Sequence, residues 1–216
     1  MKTLIAIPAM DMIHTVFFKS IVQMDKVGDV RFALTSSSLV YAARNDLTKK
    51  AITEGFDRVL WFDSDMEFAP DTMKRFSADL DEGYEFVSGL YFKRRAPIEP
   101  CIYKEVGYYH KPETNEVTPV ALAYEDYPRD QIFEIGGCGF GCVMMTRDLL
   151  IRVVSEVGAP FSPRLGFGED LTFCKHVEEL GVKMYCDSRI KCGHVGQGTI
   201  TEETYLQTRG DTLGDA

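Results

Sequence analysis

Asp63 and Asp65, separated by Ser64, are the residues whose type and spacing best suit chemistry in this chain of 216 residues. Two hard oxygen donors one residue apart suit Mg²⁺ or Mn²⁺, above all an ion shared with substrate phosphates rather than caged by protein alone. The preceding Arg58-Val59-Leu60-Trp61-Phe62 reads as a buried strand, which would deliver both carboxylates to a sheet edge. Taken alone, Asp-Ser-Asp is better read as a polar turn. The case for a site rests on its surroundings. A second acidic pair, Glu169-Asp170, opens a predicted helix after the loop at 160–168. The helix dipole favours carboxylates there, so capping alone accounts for that pair.

The elements that must position these groups follow from periodicity. Thr3 to Ile7 is a short apolar strand stopped by Pro8-Ala9, and Ile13, Val16, Phe17, Ile21 and Met24 form a helical stripe. Val30 to Leu34 predicts a second strand that ends in Thr35-Ser36-Ser37-Ser38. A serine there should cap a helix carrying Leu39, Ala43, Leu47 and Ala51, which Gly55 ends. After the Asp-Ser-Asp strand, Pro70-Asp71 opens a helix with Met73, Phe76 and Leu80 on one face and Gly83 as its stop. Strands alternating with helices predict an α/β fold with a mostly parallel sheet. Ligands of such sheets bind beyond the carboxyl ends of the strands, which puts Pro8-Ala9, Thr35 to Ser38 and Asp63 to Asp65 on one rim.

Glu85 to Phe92 reads as a fourth strand, followed by the basic cluster Lys93-Arg94-Arg95. Residues 97–134, rich in proline and tyrosine, read as an irregular hairpin region. The glycine-dense run from Gly136 to Gly141 lacks dinucleotide-binding spacing and precedes a strand, Cys142 to Met145, so it predicts a tight backbone approach, against a ligand. Helices follow from Thr146 to Val157 and from Glu169 to Gly181, the latter with Leu171, Cys174 and Val177 inward. Lys183 to Cys186 reads as the last strand and residues 191–196 as a glycine-flanked loop. A single domain is expected over 1–198, with a nucleotide-binding half at about 1–95 and an acceptor half at about 96–198. The acid-rich remainder, 199–216, reads as a polar tail or lid.

Apolar residues at 45% and charged residues at 26% are ordinary for a globular protein. A formal charge of −9 argues against a broad nucleic-acid-binding surface, while leaving room for a local basic groove. No stretch is long and apolar enough to span a bilayer, and the first residues run straight into a strand pattern, so a cytoplasmic protein is expected. The six cysteines show no Cys-x-x-Cys pair; buried, reduced thiols are expected rather than a zinc site.

Taken in order, these motifs resemble a small GT-A-fold glycosyltransferase of the family-2-like kind, over residues 1–196. The resemblance is carried by Ile7-Pro8-Ala9 at the end of the first strand and Ala43-Arg44-Asn45 in the following helix. It continues through Phe62-Asp63-Ser64-Asp65-Met66 (the Asp-x-Asp), Phe167-Gly168-Glu169-Asp170-Leu171 and Gly193-His194-x-Gly196. It implies a Rossmann-like nucleotide half and a β-rich acceptor region. Asp65 would be the first ligand of a Mn²⁺ or Mg²⁺ ion, Asp63 the second, directly or through water and the ribose, and His194 the third. Pro8, Ala9, Asp11, Arg44, Asn45, Asp63 and Ser64 would face the donor, although Arg44 also reads as a solvated helix charge. Asp170 would be the base of an inverting transfer, with Glu169 orienting the acceptor or exchanging roles with it. The helix dipole should hold Asp170 ionised and weaken it as a base. Residues 97–134 match nothing in the family.

The implied activity is metal-dependent transfer of a sugar from a nucleoside-diphosphate donor, a UDP-sugar first, to an acceptor hydroxyl on a glycan, a small molecule or a modified DNA base. Two other functions compete. A nucleotidyltransferase usually carries a glycine-rich basic loop after the first strand, unlike Pro8-Ala9-Met10-Asp11. A non-catalytic nucleotide-sugar or carbohydrate-binding module would not require both acidic pairs.

Overall fold

The computed structural model describes residues 1–196 and 199–209. Its first third alternates strand and helix: β1 (Lys2–Ala9), α1 (Thr15–Gln23), β2 (Asp29–Ser36), α2 (Val40–Thr53) and β3 (Arg58–Phe62). Then come β4 (Met66–Phe68), α3 (Thr72–Asp81) and β5 (Phe86–Leu90). The middle is strand-rich, with β6 (Ile102–Lys111), β7 (Glu116–Ala123), β8 (Ile132–Ile135), β9 (Gly137–Cys138) and β10 (Cys142–Thr146). Two helices, α4 (Arg147–Val157) and α5 (Glu169–Glu179), precede β11 (Met184–Val195), β12 (Thr199–Ile200) and α6 (Glu202–Arg209).

A mostly parallel central sheet is flanked by helices, and a separate antiparallel sheet stands beside it. The central sheet runs β12-β11-β5-β10-β3-β1-β2. β1 lies parallel to both β2 and β3, and β5 parallel to β11. β10 is inserted antiparallel between β3 and β5, joining the two parallel sets. Because successive strand side chains face opposite ways, adjacent residues of β3 feed two cores. Trp61 packs with Phe140, Phe161 and Phe173 on one face, and Phe62 with Phe17, Phe68 and Phe76 on the other. A central strand buried on both faces has little freedom to slip, so the carboxylates that follow Phe62 are held at a fixed point.

Several elements depart from the sequence expectations. The hairpin expected within 97–134 is more regular than its sequence suggests: β6 and β7 pair from Tyr103↔Ala123 to Lys111↔Glu116 with one register shift near Tyr103, and β9 completes a three-stranded sheet. The serine expected to cap α2 does not. Ser37 Oγ accepts instead from the Leu39 N–H at 3.1 Å, closing a turn ahead of the helix. Residues 191–196 are largely strand, because β11 continues to Val195 and pairs with both β4 and β12. Residues 199–209, read as part of a polar tail or lid, form β12 and α6, and the buried Tyr205 and Leu206 join the core that contains Trp61. Residues 210–216 lie outside the described part of the chain. No helix among the described residues is long and apolar enough to cross a membrane.

Candidate active site

Beyond the carboxyl ends of β1 and β3 lies a cavity of about 790 Å³, within the range of small-molecule sites. Pro8 and Ala9 at the end of β1, Ser37 and Ser38 after β2, and Asp63, Ser64 and Asp65 after β3 all line it. Arg44 reaches it from α2, Glu169 and Asp170 from the first turn of α5, and His194 from β11. The Asp-Ser-Asp loop is tied at both sides. His14 N–H donates to Ser64 O at 3.0 Å, and Val195 N–H donates to Asp65 O at 2.8 Å.

Arg44 is the electrostatic centre. Its side chain is only 2% exposed; Nη2 donates to Asp63 Oδ1 at 2.7 Å and Nε to Glu169 Oε1 at 3.3 Å. Its guanidinium lies against the Trp61, Phe140 and Phe161 rings, 5.3–5.9 Å from their centroids. Burial alone would favour the neutral form, but Asp63, Glu169 and Asp170 more than compensate and hold it charged. Its Nη1 is buried without a hydrogen-bond partner among the described residues. Arg44 is therefore a bridge between the two acidic pairs, not a solvated helix charge.

The four carboxylates are not equivalent. Burial, with the neighbouring Asp65 charge, pushes Asp63 up, against the pull of Arg44. Burial would also raise Asp65, but the hydrogen bond and charge of His194, with Arg94, hold it below the usual carboxylate range. Asp65 Oδ2 sits 3.5 Å from His194 Nε2 and bonds to the Arg94 guanidinium. His194 is raised in turn: burial opposes its charge, but Asp65 and the Phe92 carbonyl favour it. Burial, then Glu169, lifts Asp170 to about 6, although its Oδ1 accepts from the Leu171 N–H at 2.7 Å. The expected effect of the helix dipole on Asp170 is thus outweighed, because desolvation and a neighbouring like charge act more strongly at this depth.

Whether these residues suit a divalent cation can be judged from the donors. His194 Nδ1 donates to Phe92 O at 2.8 Å, which directs Nε2 to the Asp65 side, the arrangement that orients an imidazole ligand. Asp65 and His194 fit such an ion. Asp63 is committed through one oxygen to Arg44, and no group of three His, Cys, Asp or Glu side chains gathered for a metal is found among the described residues. The donor set fits an ion completed by substrate oxygens rather than a full protein cage.

Two residues expected at the donor lie elsewhere. Asp11 is exposed and outside the cavity lining, although the adjacent Met10 lines it. Asn45, one residue past Arg44, leaves the cavity face of α2, and its Oδ1 accepts from the Phe161 N–H at 3.0 Å. Two others enter unannounced. Tyr91, following β5, lines the cavity with its ring edge-on to His194 and its hydroxyl accepting from the Gly141 N–H at 3.0 Å. A Cβ at Gly139 or Gly141 would collide with the Tyr91 ring or hydroxyl, so the glycine run does mark a close approach, made to Tyr91. Arg94 was visible only as part of a basic cluster.

No family model matches the chain, and no curated protein matches it. Solved structures do. A197 from STIV is similar at a TM-score of 0.65 and 20% identity, covering 91% of this chain and 86% of that one. S. aureus TarS 1–349 is similar at a TM-score of 0.51 and 15% identity, covering 87% of this chain and 60% of that one. The same TarS fragment in complex with UDP-GlcNAc gives a TM-score of 0.49 at 16% identity, covering 82% and 53%. The fold is GT-A-like. This chain spans most of A197 but less than two thirds of the TarS fragment.

Proposed function

We propose that the protein transfers a sugar from a nucleoside-diphosphate donor, a UDP-sugar in the first instance, to an acceptor hydroxyl with inversion. The observation that carries this reading is electrostatic. One cavity contains Asp65, held ionised by His194 and Arg94, and Asp170, held closer to neutrality by burial. Carboxylates driven apart in this way suit separate roles in one reaction.

In this reading Asp170 takes the hydroxyl proton as the acceptor oxygen bonds to the anomeric carbon and the bond from that carbon to the diphosphate breaks. A carboxyl with a pKa of about 6 is mostly ionised at neutral pH yet more basic than an ordinary aspartate. Glu169, held by Arg44, is the adjacent acceptor-orienting group. Asp65 and His194 would hold Mn²⁺ or Mg²⁺ with Asp63 as a further donor. That ion would supply charge neutralisation for the departing diphosphate. Pro8, Ala9 and Ser64, beyond the strand ends, line the donor side.

A thermal-shift panel of nucleoside diphosphates with Mn²⁺ or Mg²⁺ tests this. UDP with metal should raise Tm by mass action, since a hundredfold excess over Kd adds about 2.7 kcal/mol to the unfolding free energy. Asp65→Ala should fold normally and lose the metal-dependent part of that gain. No shift with any nucleoside diphosphate, or full affinity in Asp65→Ala, would sink the proposal.

A further inference from the structure

A second cavity, of about 670 Å³, adjoins the first and is lined by His14, Arg94, Arg95, Ala96, Val195 and Gly196. Arg94, Arg95 and Ala96 line both cavities. The charge pattern is unusual for this molecule. The chain carries a formal charge of −9, yet no carboxylate is among the described residues lining this cavity. Its two guanidiniums differ in their commitments. Arg94 bonds to Asp65, and neighbouring Lys93 pairs with Glu99 at 2.6 Å, whereas Arg95 makes no ion pair among the described residues.

An exposed arginine is ordinary on a protein surface. An acid-free concavity with an uncommitted arginine, a second arginine and a histidine, beside a candidate transfer site, is a place where an anion is favoured. Guanidinium forks match phosphate geometry through paired hydrogen bonds. The donor's own diphosphate would be met in the first cavity, beside Asp65 and His194. The second cavity shares Arg94, Arg95 and Ala96 with the first but none of Asp63, Asp65 or His194, so a phosphate held there is not the one beside the metal ligands.

We infer that this second cavity binds a phosphate group carried by the acceptor, with Arg95 as its principal partner and His14 as a second donor. The acceptor is then a phosphorylated hydroxyl compound rather than a neutral sugar; that assignment rests on the transferase reading, whereas the anion site itself does not.

The test titrates glycerol 3-phosphate, a monoester, and dimethyl phosphate, a diester, onto the full chain. Both are followed by phosphorus NMR line width, with the protein free and then saturated with UDP and Mg²⁺. At least one probe should bind in both conditions, and the preferred one tells which kind of phosphate the acceptor carries. Arg95→Gln, an exposed substitution, should weaken that binding about tenfold, as expected for loss of a charged bidentate partner, and His14→Ala should weaken it less. UDP affinity should stay within about twofold in His14→Ala, whose side chain lines the second cavity and not the first. Absence of binding by either probe, unchanged binding in Arg95→Gln, or displacement of the probe by UDP would overturn the inference. If UDP itself fails to bind, the transferase reading falls, and the titration of the free protein still decides whether an anion site exists.

Discussion

Asp170 and Asp65 are chemically identical side chains at one cavity, and their surroundings drive them in opposite directions. With Asp170 lifted to about 6, turnover that needs it ionised should rise with pH through about 6 and level off above. Asp170→Asn should bind UDP and metal nearly normally, lose transfer by on the order of a hundredfold or more, and lose that pH limb. Asparagine Oδ1 can still accept from the Leu171 N–H in the first turn of α5, so the fold should hold. Melting temperature, donor hydrolysis and its pH profile on one preparation check this; normal turnover would reduce Asp170 to a cap. The acidic pairs were legible because their types and spacing are local. Arg44 was marked as a donor-facing residue, but its bridging role was not legible, since the carboxylates it joins lie 19 and 125 residues away in sequence. Nothing near Arg44 says that it is buried.

At the scale of elements, α2 serves two purposes with adjacent residues. Arg44 faces the cavity, while Asn45 ties the helix to the segment that carries Phe161 into the aromatic core. Asn45→Ala should therefore cost about 1 kcal/mol of stability by denaturant unfolding and leave UDP affinity unchanged. A large loss of affinity at constant stability would return Asn45 to the donor site. The alternation of β1, α1, β2, α2 and β3 was readable because each element buries a regular face. The β6–β7 hairpin was read only as an irregular hairpin region, because the apolar Tyr109, Val117, Val120 and Leu122 are exposed, so hydrophobicity does not mark its inner face. The reach of β11 to His194 was hidden by Gly193, which reads as a loop residue but is paired with Glu67 of β4. Its Cβ would strike Thr199, so the packing explains the glycine.

Taken as a whole, the molecule places its strained electrostatics at two separate points, and only one is the cavity. The other joins α3 to β11, where Asp79 and Asp187 are buried together under Arg189. Arg189 bonds to Oδ1 of each, at 3.3 and 2.8 Å, while both Oδ2 atoms are buried without a partner among the described residues. Burial first, and the Asp187 charge second, push Asp79 up to about 7. A carboxyl raised in this way binds its proton more tightly in the folded protein than in the unfolded chain, where it titrates near the usual value of about 4. The pair's contribution to stability is therefore fully present below about pH 4 and is lost as pH rises towards 7. Asp79→Asn keeps a hydrogen-bonding group beside Asp187 and removes the second charge. The variant should be more stable than the parent at pH 8, by on the order of 1–2 kcal/mol, or roughly 2–4 °C in Tm for each kcal/mol in a chain of this size. That advantage should shrink towards zero at pH 4.5. Because other titrating groups act alike in both proteins, the difference between the two Tm–pH curves isolates this pair. Parallel curves, or a variant less stable at every pH, would show that Arg189 already neutralises both carboxylates.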